Sequence, residues 1–205
     1  MSVEPRLIFL NSQQVASPNL LESTLSVFQV LGFDICSLKV GNYPKEVGAW
    51  DGYSDSKADV LAVASQHKQL TFNVINTEES FELLMQLGWG REHLGKESRL
   101  WLSATCFQTP LFNYGKEDSK HYSQLFLNVG KHLYEVLQPV FGCIEMTTGL
   151  ADNMSFEDVE ELALPHLCWA NFFSAAYVEK IGRSYILNAP AWNIEDLSDG
   201  GLLYV

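Results

Sequence analysis

The run Arg99–Gln108 constrains the fold more than any other stretch of this chain. Leu100, Leu102, Ala104 and Cys106 alternate there with Trp101, Ser103, Thr105 and Phe107, so a strand would carry apolar groups on both faces. Such a strand is expected to be a central one in its sheet. Its counterpart is the segment Glu117–Leu137. Tyr122, Leu125, Phe126, Val129, Leu133 and Val136 form one helical stripe, and Pro139 ends it. One side of a sheet therefore has a long amphipathic helix to cover it.

The other elements follow from shorter patterns. Leu7–Asn11, the segment from Ile35 to Val40, Leu70–Ile75, Val140–Thr147 and His166–Phe173 read as strands. Ser17 before Pro18 predicts a helix start, Leu21, Leu25, Phe28 and Leu31 continue it, and Gly32 stops it. Lys57–Gln66 reads as a short helix between the turn sequences of residues 41–53 and the next strand. Thr77-Glu78-Glu79-Ser80 looks like a helix N-terminus continuing through Phe81, Leu84, Met85 and Gly88. Ser155 with Asp158 predicts a short acidic helix to Leu162. Ala175–Leu187 reads as a helix with Gly182 inside it, and the last residues as two strands turning at Asp199-Gly200-Gly201. The Gly-rich phosphate turns of doubly wound folds are absent. The expectation is an α+β fold, a mainly antiparallel sheet with helices packed on one face, in a single domain over residues 1–205. A division near residue 90 into two related α/β sandwich halves is the alternative.

Composition bears on partners. Formal net charge is -12, and beyond Lys131 eleven acids face only Lys180 and Arg183. Such a field repels phosphate and attracts a basic partner, so nucleic acid is not expected. No apolar run approaches the roughly 20 residues that span a bilayer, and no membrane association is expected. Cys36, Cys106, Cys143 and Cys168 are far apart, without a C-x-x-C pair, and read as buried free thiols in a cytoplasmic setting. The five histidines show no ligand spacing, so neither metal nor cofactor is expected. No G-x-S-x-G elbow occurs, and nothing local activates Cys106, so no catalytic residue is assigned. Glu157, Asp158, Glu160 and Glu161 crowd two helical turns, where like charges repel by a few tenths of a kcal/mol per pair, roughly. A cationic partner would offset that repulsion.

The pattern W-x-N-x-x-S-x-x-Y-x-x-x-I-G runs from Trp169 to Gly182, followed by Ala189-Pro190-Ala191-Trp192 and Asp199-Gly200-Gly201. It resembles the C-terminal part of some bacterial polymorphic-toxin immunity proteins, over residues 169–203. The resemblance implies a strand leading into a helix and out to a final strand, and a protein that binds a cognate toxin. In its structural reading Trp169 and Phe173 share a strand face, Ser174 caps the helix, and Tyr177, Ile181 and Tyr185 pack along one stripe.

Three functions are weighed. The first is a non-enzymatic, acidic binding protein that neutralises a basic protein partner. Its contact residues would be Glu157, Asp158, Glu160 and Glu161 with the aromatics Trp50, Tyr53 and Trp192. The second is an enzyme or small-molecule binder with an aromatic-lined pocket among Trp50, Tyr53, Trp101, Tyr114 and His121. The third is a structural or oligomeric module.

Overall fold

In the computed structural model, which describes residues 5–11, 17–41, 48–50, 57–66, 69–89, 100–106, 117–146 and 167–205, ten strands pair into one antiparallel sheet. In chain order the strands are β1 (Pro5–Asn11), β2 (Asp34–Val40), β3 (Gly48–Trp50), β4 (Gln69–Asn76), β5 (Phe81–Trp89), β6 (Leu100–Cys106), β7 (Phe141–Met146), β8 (Ala170–Phe173), β9 (Ile194–Asp196) and β10 (Leu202–Tyr204). Their order across the sheet is β3-β2-β4-β5-β6-β1-β7-β8-β10-β9. The first strand is thus an interior one, paired with β6 on one side and β7 on the other. Its composition fits that place: Leu7 and Phe9 point to one face, Ile8 and Leu10 to the other, and all four are buried. β6 is interior and apolar on both faces, as its sequence requires. On either side of residue 90, β5 and β6 pair from Leu83 with Cys106 to Trp89 with Leu100, so the sheet is continuous there.

Three helices lie on one face: α1 (Pro18–Val30), α2 (Lys57–Gln66) and α3 (Glu117–Leu137). Ser17 caps α1, its hydroxyl accepting from the Leu20 amide at 3.2 Å. Leu21, Leu25 and Phe28 of α1 and Phe126, Val129 and Leu133 of α3 meet Phe72, Leu83, Met85 and Leu102 of the sheet in the larger core. Edge-to-face contacts between Phe28, Phe33, Phe72 and Phe81 fix its centre.

A smaller core covers the opposite face at one end of the sheet. It is built by two short helices, α4 (Ala175–Ile181) and α5 (Arg183–Leu187), with Tyr177, Val178 and Ile186 packed on Ile8, Leu10, Phe141 and Phe173. Helices therefore lie on both faces near β7 and β8, and the two-sided apolar character of β1 and β6 is accounted for.

Four local expectations differ from the fold. Residues 81–89 are a strand: Phe81, Leu83, Met85 and Leu87 are buried and alternate with half-buried Glu82, Leu84 and Gln86. The acidic Thr77–Ser80 segment is the hairpin turn before it. Asn76 accepts there from the Glu79 amide at 3.0 Å, and Ser80 takes a left-handed φ of 51°. Gly182 (φ 96°) divides the 175–187 helix in two. β8 begins only at Ala170, so Trp169 packs against the larger core while Phe173 belongs to the smaller one. Of the four thiols, Cys106 and Cys143 are buried, Cys168 is half-buried and Cys36 is exposed. The predicted helix at Ser155–Leu162 falls outside the described residues.

Candidate functional site: an apolar groove at the C-terminal end of the sheet

The groove is formed where β8 turns into α4. Ser174 caps α4 by accepting from the Tyr177 amide at 3.2 Å, which draws the Tyr177 ring over Phe173 in a parallel stack with centroids 5.5 Å apart. After Gly182 the chain turns, and α5 presents Ile186 inward and Tyr185 outward. Buried Phe173, Ile186 and Tyr204 form the floor of a cavity of about 460 Å³, and exposed Leu167 and Tyr185 form its rim. The Tyr204 hydroxyl donates to the Pro190 carbonyl, so the floor's polar group is already engaged. The groove is apolar for that reason. Among its described lining residues, Asn188 is the one polar side chain besides the tyrosines.

Trp192 stands beyond the groove. Its backbone is fixed: the Trp192 and Asn193 amides donate to the Val205 carbonyl at 2.7 and 3.1 Å, and the Val205 amide returns a bond to Asn193 at 2.9 Å. Its indole is 98% exposed. A rigid backbone carrying a fully solvated tryptophan is an arrangement without benefit to the isolated fold. Leu187, Leu167 and Tyr185 are the other large exposed apolar groups in this region, and among the described residues only Val30 lies elsewhere.

The aspartate of the Asp-Gly-Gly turn ties the region to the rest of the molecule. Asp199 accepts from the Tyr134 hydroxyl of α3 at 2.9 Å, from the Gly201 amide at 2.9 Å and from the Ala175 amide at the start of α4 at 3.3 Å. Burial, with the adjoining Asp199 carboxylate, pushes the Tyr134 hydroxyl well above the ordinary tyrosine range. Gly201 is required here, because a Cβ would lie 2.3 Å from the Phe173 carbonyl oxygen.

A second, polar hollow lies on the α3 side, lined by His121, Asn128, Lys131, Asn193 and Glu195. Lys131 is salt-bridged to Glu195, and His121 meets Glu79 at 2.7 Å. Neither hollow sets a nucleophile beside a base among its described residues, and the described residues contain no cluster of three metal-ligating side chains. No helix among them is long and apolar enough to cross a membrane.

Of the residues expected from sequence to form the contact surface, Trp192 is exposed to solvent. Trp50 is half-buried on β3 and packs against the larger core. Its strand β3 is at one edge of the sheet, and β9, which follows Trp192, is at the other. Tyr53, Glu157, Asp158, Glu160 and Glu161 lie outside the described residues. The aromatic pocket is not assembled either: Trp101 lies in the smaller core, against Gly88, while His121 is on α3 across the sheet. Tyr114 is outside the described residues. Sequence reasoning placed Tyr185 in the inward stripe. The break at Gly182 moves it out to 72% exposure, and Gly182 was the signal that would have shown this.

The acidic flank is partly neutralised within the fold. Glu145 is buried beside Arg6 at 3.8 Å, Glu195 pairs with Lys131, and Asp196 pairs with Arg183. With Asp199 bonded to Tyr134, the described acids beyond Lys131 left to solvent are Glu135 and Glu179.

No protein-family model matches the chain, and no curated protein matches it. Among solved structures, the Pseudomonas aeruginosa T6SS protein PA0821 is similar over 98% of this chain and 68% of its own length, with a TM-score of 0.59 at 11% identity. At that identity the likeness is one of fold.

Proposed function

We propose that this chain is a non-enzymatic binding protein that docks a basic partner protein, in the manner of toxin-immunity proteins, and that the C-terminal apolar groove with Trp192 is its anchor. The observation that carries this reading is the solvated indole of Trp192 on a pinned backbone, in the same region as exposed Tyr185, Leu187 and Leu167. Tryptophan and tyrosine are enriched among the few residues that dominate binding energy at protein interfaces, and exposed apolar clusters mark such surfaces. The region coincides with the segment resembling immunity proteins. The similar fold of a T6SS protein is in keeping with a secretion-associated toxin and immunity setting. The net charge of -12, with Glu157, Asp158, Glu160 and Glu161 as its densest cluster, would speed association with a basic surface.

The test is affinity capture from the native host with the wild-type chain, Trp192→Ala, Tyr185→Ala, and a quadruple charge reversal at Glu157, Asp158, Glu160 and Glu161. A basic protein retained by the wild type should bind Trp192→Ala at least about 30-fold more weakly, the loss expected of an interface hot spot. The charge-reversed chain should show a flatter salt dependence. Equal retention by wild type and both aromatic variants would remove the anchor from this surface.

A further inference from the structure

Cys143 and Cys168 lie far apart in sequence, and the fold brings their thiols together. Cys143 is on β7, where its Cα pairs with Asn171 of β8. The Asn171 side chain is buried and bends the preceding chain back on itself. Its Nδ2 donates to the Cys168 carbonyl at 3.1 Å, and its Oδ1 accepts from the Cys168 amide at 3.2 Å. Those two bonds hold Cys168 over the strand pair that carries Cys143. Both side chains join the smaller core, and both are free thiols. The geometry points to a reversible disulfide site, Cys143–Cys168, formed by reaction with a hydroperoxide.

The two sulfurs are not equivalent. The Cys143 S–H donates to the Cys168 sulfur, which holds the Cys168 thiol below the ordinary range and, with burial, raises Cys143 well above it. Cys168 is also the more accessible of the two. It is therefore the attacking thiolate. Its sulfur takes the distal oxygen of hydrogen peroxide, the O–O bond breaks, and the released hydroxide becomes water on taking up a proton. Cys168 is then a sulfenic acid. The Cys143 sulfur attacks it, the S–S bond forms, the S–O bond breaks, and the second water leaves with the Cys143 proton. Two thiols lose two electrons in total and one peroxide becomes two waters.

The remaining thiols do not compete. Cys106 is buried in the larger core, across the sheet. Cys36 is exposed, but partial desolvation of its sulfur and the nearby Glu82 and Asp34 carboxylates raise it, which disfavours its thiolate. Exposure alone would rank Cys36 as the most reactive thiol, and the pairing of Cys168 reverses that order.

The test treats the full chain and its Cys36→Ser variant with hydrogen peroxide, alkylates the remaining thiols after unfolding, and reads intact mass and cross-linked peptides. Both proteins should lose two alkylatable thiols and two hydrogens, yield a Cys143–Cys168 peptide, and recover all thiols with dithiothreitol. Cys168→Ser should abolish the reaction. Cys143→Ser, whose hydroxyl keeps a donor beside the Cys168 sulfur, should leave Cys168 as a sulfenic acid that dimedone labels, and Cys143→Ala, which removes that donor, should be labelled at the same sulfur but more slowly. Cys143 and Cys168 both remaining alkylatable in the wild type, or Cys36 reacting first, would overturn the assignment.

Discussion

Replacing Asp199 by alanine should destabilise the fold by about 3 kcal/mol, although the residue sits in an exposed turn. Three donors lose their acceptor. The Tyr134 hydroxyl, on a side chain 1% exposed, is left unsatisfied, which costs about 1.5 kcal/mol. The buried Gly201 amide adds about 1 kcal/mol, and the longer Ala175 bond about 0.5 kcal/mol. For a chain of this length that lowers the melting temperature by roughly 6–12 °C. Urea unfolding followed by tryptophan fluorescence measures the difference. Tyr134→Phe alone should cost about 1.5 kcal/mol, and the double variant about 1.5 kcal/mol less than the sum of the two. Asp199→Asn retains an acceptor and should be milder than the alanine variant. Additivity of the two single changes within about 0.3 kcal/mol would refute the claim that this contact joins α3 to the C-terminal hairpin.

Trp192→Ala should change unfolding free energy by less than about 0.5 kcal/mol, since its ring buries nothing in the free protein; a larger loss would show that the indole serves the fold. Gly142→Ala should destabilise by about 1–3 kcal/mol, because a Cβ would lie 2.1 Å from the Phe9 ring, and thermal melting reads this directly. Burial pushes Tyr177 up to about 12, so the folded state holds its phenol proton more tightly than the unfolded state does. Its contribution is intact below pH 10 and is lost as pH rises from about 10 to about 12, a loss that Tyr177→Phe should remove from the urea midpoint. Oxidation that links Cys143 to Cys168 closes a loop of about 25 residues and should stabilise by up to about 3.5 kcal/mol, read as a higher urea midpoint than that of the reduced protein.

Much of the sheet was legible because period-two alternation is local. β6 declared its interior place through apolar groups on both faces, and α3 declared its stripe. The β5 segment misled because acids after Thr77 mimic a helix start. The alternation of Phe81, Leu83, Met85 and Leu87 carried the competing signal. The candidate site was less readable for a physical reason. Which face Tyr185 shows depends on the backbone turn at Gly182, and a one-residue change of phase moves a side chain from core to solvent. The Asp-Gly-Gly turn was recognisable as a turn. That its carboxylate reaches a tyrosine 65 positions earlier is long-range information that no local window contains. The nearness of Cys143 and Cys168 likewise depends on strand pairing and on one asparagine.

The placing of β1 between β6 and β7 bears on how the protein is made in the cell. This seven-residue segment is synthesised long before either of its neighbours, and β7 follows it by about 130 residues. At ribosomal speeds of about 5–20 residues per second, that is a wait of roughly 7–26 s. Until β6 follows, about 90 residues after β1 and so roughly 4–18 s later, a strand with two oily sides has neither of its sheet neighbours, a circumstance in which a holding chaperone would be most useful.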